Sequence, residues 1–172
     1  METTREDRLK FAKHLERAQG WLLLDKHTEA ILALDEIPTI FQIHPAVVLL
    51  RAHVHMDAKQ WKLAEPLLRQ LIKEDEGEPQ YWINLAYVVR RAKSLKEAEP
   101  ILQEARKRFP TVALIWFNLA CYASQETRLQ EAHDLLREAL RLEPTLMDQA
   151  KADADLVPYW DGLKSGQITA SS

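Results

Sequence analysis

Few residues in this chain are placed to do chemistry. His53-Val-His55, with His44 nearby, is the first place to look for a metal ion, since imidazole is a common ligand. Side chains two apart on a helix point to different faces, however, and ligands converging on one ion need a spacing of three or four. These histidines are therefore expected to be ordinary surface or half-buried residues, and no metal is expected. Cys121 is the single cysteine, which excludes an internal disulfide and any zinc site built on paired thiolates. It falls inside a helical stretch with no histidine at close spacing, so an inert thiol is expected rather than a nucleophile. Asp153 and Asp155 could be read as an acid pair, but two residues in a turn near the C-terminus account for them. Trp21, Trp61, Trp82, Trp116 and Trp160 fall mostly on repeating core positions and form no cofactor box. The expectation is a protein that is not an enzyme and takes no cofactor.

Composition narrows the class further. The chain has 172 residues, of which 47% are apolar, enough for a packed core and too many for a disordered chain. Its 23 basic and 26 acidic side chains leave a net charge of −3 with no block of like charge. That argues against an electrostatic footprint for nucleic acid or for an anionic membrane. Four glycines are too few for phosphate-cradling loops and tight hairpins. The N-terminal residues are charged throughout, and the longest apolar runs, such as Ala46–Leu50, fall far short of the roughly 20 residues of a spanning helix. A cytoplasmic location is the expectation.

The elements that would position any site are set by an internal repeat. Trp82-Ile-Asn-Leu-Ala-Tyr returns as Trp116-Phe-Asn-Leu-Ala-Cys-Tyr after 34 residues, and Lys59-Gln-Trp-Lys-Leu-Ala-Glu-Pro returns as Lys93-Ser-Leu-Lys-Glu-Ala-Glu-Pro at the same step. The step yields three uniform columns: Ala18, Ala52, Ala86, Ala120; Ala30, Ala64, Ala98, Ala132; and Leu34, Leu68, Leu102, Leu136. Within a unit, Trp82, Leu85, Ala86 and Val89 share one helical face. A second stripe runs Leu95, Ala98, Ile101, Leu102, Ala105. Ser94 with Glu97, and Thr127 with Gln130, have the spacing of a capping box that opens the second helix. Pro110 and Pro144 close the second helices, whereas Pro66 and Pro100 lie inside them, where a kink is expected. Each unit is thus a helix–turn–helix that must stack on its neighbours to bury its apolar face. Small residues let facing helices approach, so Ala86 is expected to meet Ala98, and Ala120 to meet Ala132.

These residues resemble the tetratricopeptide repeat. Its pattern of aromatic, leucine, small residues and closing proline is met by Trp82, Leu85, Ala86, Ala98, Leu102, Ala105 and Pro110, and again by Trp116, Leu119, Ala120, Ala132, Leu136, Ala139 and Pro144. The second unit keeps Ala52, Ala64 and Leu68 but has Val48 and Arg51 at the aromatic and leucine positions and Glu76 in place of proline. The first keeps only Ala18, Ala30 and Leu34, with His14 and Arg17 on its first helix. The expected architecture is all-α: a right-handed superhelical solenoid of antiparallel helix pairs, about four repeats (11–44, 45–78, 79–112, 113–146) plus a C-terminal capping helix. One domain over 1–164 is expected, with a cap over 147–164 and a flexible tail over 165–172. Thr3 with Glu6 is expected to open a helix reaching about Leu24, and Thr145 with Asp148 one reaching about Ala154. Leu156-Val-Pro-Tyr-Trp160 supplies apolar cover for the last pair.

The resemblance implies a concave face lined by first helices that receives a protein or peptide partner. It maps that face onto Leu49, Leu50, His53 and Met56, then Ile83, Asn84, Tyr87, Arg90 and Arg91, then Phe117, Asn118, Cys121 and Gln125. Asn84 and Asn118 are suited to hydrogen-bond the main chain of an extended peptide, or alternatively to hold neighbouring helices together. Tyr87 and Phe117 would supply anchor area, and Arg90 or Arg91 would pair with a carboxylate, unless the aromatics simply pack. A two-carboxylate clamp of the kind co-chaperones use is excluded. Its lysine, asparagine and arginine positions would fall on Leu15, Gln19, Leu50, Gln80 and Asn84, or on Leu49, His53, Asn84, Leu114 and Asn118, and neither frame supplies the cations. An adaptor binding a partner segment is the leading expectation. A secretion-type chaperone and a self-assembling structural subunit are the alternatives.

Overall fold

The first helix opens on a reciprocal cap. The Thr4 side chain accepts from the Asp7 amide at 3.0 Å, and the Asp7 carboxylate accepts from the Thr4 amide at 3.1 Å. The box therefore stands at Thr4 and Asp7; Thr3, expected to form it with Glu6, lies outside the residues that the computed structural model describes, which are 4–168. From this cap α1 runs Arg5–Leu23. It is followed by α2 (His27–Asp35), a 3-10 turn (Thr39–Phe41), α3 (Pro45–Asp57), α4 (Trp61–Glu74) and α5 (Pro79–Ala92). Then come α6 (Leu95–Arg108), α7 (Ala113–Gln125), α8 (Leu129–Leu142), α9 (Leu146–Ala152), a 3-10 turn (Ala154–Leu156) and α10 (Val157–Lys164). Among the described residues there is no strand. The chain forms two compact units, one up to Ala92 and one from Lys93.

In the first unit, α1 packs on α2 and α3, α3 on α4, and α4 on α5. Its N-terminal core joins Ala18, Ala30, Ala33, Leu34, Val47, Leu50 and Val54, flanked by Phe11, Leu15, Trp21 and Phe41. In the second unit, α7 packs against α6 and α8, and α10 rests on α7 and α8. The repeat columns explain these pairings. All eight column alanines and all four column leucines are at most 1% exposed, so they sit at helix–helix contacts where a larger side chain has no room. Trp82 and Trp116 also share a polar role. Their indole N–H groups donate to the carbonyls of Glu76 and Pro110 at 3.3 and 2.8 Å. Each tryptophan thereby ties down the loop that leads into its own helix.

The turns between paired helices follow one backbone design. After α1, α3 and α7 the chain passes through a left-handed residue, Asp25 (φ 56°), Lys59 (φ 56°) and Thr127 (φ 58°). The next amides, of Lys26, Gln60 and Arg128, reach back to the carbonyls of Trp21, His55 and Ala123 at 2.9, 2.7 and 2.9 Å. This is a Schellman ending, which satisfies carbonyls left over at the helix terminus. The expected Thr127–Gln130 box is therefore absent. Thr127 closes α7, its hydroxyl donates to the Glu126 carbonyl at 2.7 Å, and the cap residue of α8 is Arg128, which makes no side-chain capping bond. The third turn differs: Ser94 caps α6 as expected, accepting from the Glu97 amide at 3.2 Å. Pro66 and Pro100 lie within α4 and α6, each of which continues as one helix.

The C-terminal segment closes over the second unit. Thr145 precedes α9 but does not cap it, since its hydroxyl donates to Glu143 at 2.6 Å; the helix stops at Ala152. Leu156 and Tyr159 are buried, and α10 comes so close to α8 that a Cβ on Gly162 would meet a Leu129 methyl at 2.5 Å. Gly166, with φ of 72°, turns the chain after α10, and Ile168 is buried. Residues 169–172 of the expected tail lie outside the described residues.

Candidate functional site

In the first unit, α3 is placed by Pro45 at its first turn and by His44, whose Nδ1 accepts from the Ala46 amide at 3.2 Å. Along α3, His53 is half-buried and faces α5, where Asn84 Nδ2 donates to its Nε2 at 3.1 Å. The Asn84 oxygen in turn accepts from Gln80 Nε2 at 2.8 Å. Asn84 is 7% exposed, so in this conformation it links α3 to α5 and does not present its amide to a ligand. Burial holds the His53 imidazole below its ordinary pKa, which favours the neutral ring that the hydrogen bond from Asn84 requires.

The three histidines considered from the sequence are separated. His55 Nδ1 bonds Gln60 Oε1 at 2.7 Å, and the His44 ring lies edge-on to Phe11 with centroids 5.0 Å apart. A different group does converge. Asp25, His27 and Asp57 bring ligand-type atoms within 4.8 Å of one another, and His27 Nε2 lies 2.7 Å from Asp57 Oδ2. Sequence reasoning missed this trio because His27 and Asp57 are 30 residues apart and no repeat column carries their types.

Beside the trio opens a cavity of about 550 Å³. Leu22, Leu23, Met56 and Tyr87 form its apolar side, and Asp25, His53 and Asp57 its polar side. Tyr87 is 41% exposed, edge-on to Trp61 at 5.8 Å and beneath the Arg91 guanidinium at 5.3 Å. The Arg91 cation is thus spent in part on the Tyr87 ring. Leu49 and Arg90 are half-buried and Ile83 is buried. In the second unit Asn118 is half-buried, while Phe117 and Cys121 are 1% and 3% exposed. Phe117 therefore has no accessible area to offer as an anchor, and Cys121 faces the cap, its thiol 3.9 Å from Asp153 Oδ2. Gln125 donates to the Asp155 carbonyl at 3.2 Å, also toward the cap. Asp153 accepts from the Asp155 amide at 2.8 Å, the turn role expected of that pair.

Buried alanine columns, Schellman turns between paired helices and tryptophans tying the entry loops define a protein of repeated antiparallel helix hairpins. The tetratricopeptide repeat matches residues 49–113 and again 113–146, more than half of the chain, and the chain belongs to that family. No curated protein matches it. Solved structures do, at low identity. Residues 41 to the end of MamA from Desulfovibrio magneticus RS-1 align at 16% identity with a TM-score of 0.67, covering 77% of this chain and 75% of that one. YrrB, described as a TPR protein with an unusual peptide-binding site, aligns at 17% identity and 0.65, covering 79% and 71%. A mutant O-GlcNAc transferase from Thermobaculum terrenum aligns at 20% and 0.68, over 81% of this chain and 27% of that one. These likenesses establish the fold. No helix among the described residues is long and apolar enough to cross a membrane.

Proposed function

We propose that this chain is a non-enzymatic protein-interaction module that holds a segment of a partner protein against the first-helix face of its N-terminal unit. The observation that carries the reading is the 550 Å³ cavity, in which His53, Met56 and Tyr87, all expected on the binding face, stand together with accessible leucines. Leu23 is 86% exposed and Tyr87 41%, so apolar area is available for a partner to cover, and covering it would drive association. The likeness to YrrB supports a peptide as the type of ligand. Within the expected face the working residues would be Leu49, His53 and Tyr87 rather than the buried Ile83, Asn84, Phe117 and Cys121.

The test is affinity capture with mass spectrometry on the wild type and on Tyr87→Ala. The alanine variant removes an exposed ring and should unfold at nearly the wild-type temperature. Specific partners should be depleted in the variant. An identical set of partners at identical yield would remove the cavity from the binding surface.

A further inference from the structure

The cavity carries a charge opposite to the one expected of the binding face. Among the described residues its lining has two carboxylates, Asp25 and Asp57, and no lysine or arginine. Asp25 has no ion pair among the described residues, and it is exposed in the turn after α1. Asp57 is 52% exposed at the side chain and, among the described residues, is paired with His27, so two carboxylates face one imidazole at the rim. Of the two cations expected to recognise a carboxylate, Arg90 and Arg91, neither lines the cavity, and Arg91 lies over the Tyr87 ring. Next to the acidic rim stands an apolar wall of Leu22, Leu23 and Met56.

We infer that the partner segment is cationic and amphipathic: a peptide with a lysine or arginine one or two residues from a large apolar side chain, the cation set between Asp25 and Asp57 and the apolar group against Leu23 and Met56. This rests on the binding reading above and specifies the chemistry of its ligand. The complementarity has two parts that reinforce each other. The apolar contact excludes water from one side of the ion pair, and the carboxylates fix which end of the segment lies at the turn. An acidic segment would meet like charge at the same rim, so the pair of aspartates also selects against it.

The probe is a random-peptide phage library panned on the full chain in the presence of EDTA, which keeps metal ions from bridging Asp25, His27 and Asp57. Selected peptides are then made with a fluorescent label and their affinity measured by anisotropy. The proteins compared are wild type, Tyr87→Ala and the double variant Asp25→Asn with Asp57→Asn. Selected sequences should be enriched in Lys or Arg beside Leu, Ile, Met or Phe. Their affinity should fall about three- to tenfold in the double variant, as expected for two exposed charge pairs, and the difference should vanish at high salt. Peptides that respond to Tyr87→Ala but not to the double variant would overturn the cationic assignment and leave the binding face standing. Failure to select any peptide that responds to either variant would overturn both.

Discussion

At the scale of single residues, the hydrogen-bond directions around Asn84 fix the state of His53. The Asn84 oxygen is taken by Gln80, so its N–H group must point at His53 Nε2, which then has to be unprotonated. A second proton on the ring would set donor against donor, and burial disfavours the cation as well. With the folded-state pKa below the unfolded value, the unfolded chain binds more protons as the solution is acidified. Stability should therefore fall as pH drops below about 6.5, and the loss should level off once the pH is under the folded-state value. His53→Gln keeps an acceptor for Asn84 and cannot titrate. Urea unfolding across this range should show the wild type losing stability relative to the variant, and parallel curves would refute the account. Ser124 gives a second case. It is fully buried, and its hydroxyl accepts from the Tyr159 amide at 3.1 Å, supplying from α7 a partner for an amide in the first turn of α10. Ser124→Ala strands that amide and should cost about 1–3 kcal/mol in urea unfolding, with Ser124→Thr recovering much of it. A loss under about 0.5 kcal/mol would mean that water or a shifted α10 satisfies the group.

At the scale of elements, the Schellman turns place three side-chain-bearing residues where glycine is preferred. Thr127 is the most strained, because a β-branched residue at positive φ crowds its own backbone. Thr127→Gly should stabilise the chain by about 1 kcal/mol after allowing for the freer unfolded state, and Lys59→Gly by less. Urea midpoints would decide, and a destabilised Thr127→Gly would show that the hydroxyl bond to Glu126 outweighs the strain. The same turn shows what a sequence pattern can and cannot convey. Threonine followed three residues later by glutamine reads as a helix start, yet the same spacing arises where a left-handed residue ends the preceding helix. Ser94 was legible because its extended backbone lets the side chain reach the Glu97 amide. Helix pairing was legible because every alanine and leucine in the columns is buried and the columns recur every 34 residues. The Asp25–His27–Asp57 group was not, since it depends on which turns become neighbours and on residue types that do not recur at their repeat positions. Phe117 and Asn84 show the same limit: repeat position gave the face, but not whether packing leaves that side chain open.

At the scale of the whole molecule, the charges are numerous but nearly balanced, and most of the pairs they form are local. Lys10–Glu6, Arg108–Glu104 and Arg141–Glu138 each join neighbouring turns of one helix at exposed or half-exposed positions. Such pairs contribute a few tenths of a kcal/mol apiece and are screened by salt. A few pairs reach between helices, Arg17–Glu36 and Arg51–Asp35 among them, and Arg128, half-buried, gathers Glu99, Glu126 and Glu131 around one guanidinium. A net charge of −3 also stores little self-repulsion for salt to relieve. Stability should then rest on the buried columns and respond weakly to ionic strength. Raising NaCl from about 0.05 to about 0.5 M should move the unfolding temperature by less than about 3 °C. The same change should weaken a cationic peptide held by Asp25 and Asp57, whose carboxylates stay accessible to counterions. Calorimetry and anisotropy on one set of salt solutions separate the two effects. A fold that loses stability in step with peptide affinity would place the stabilising energy in its ion pairs rather than in the alanine and leucine contacts.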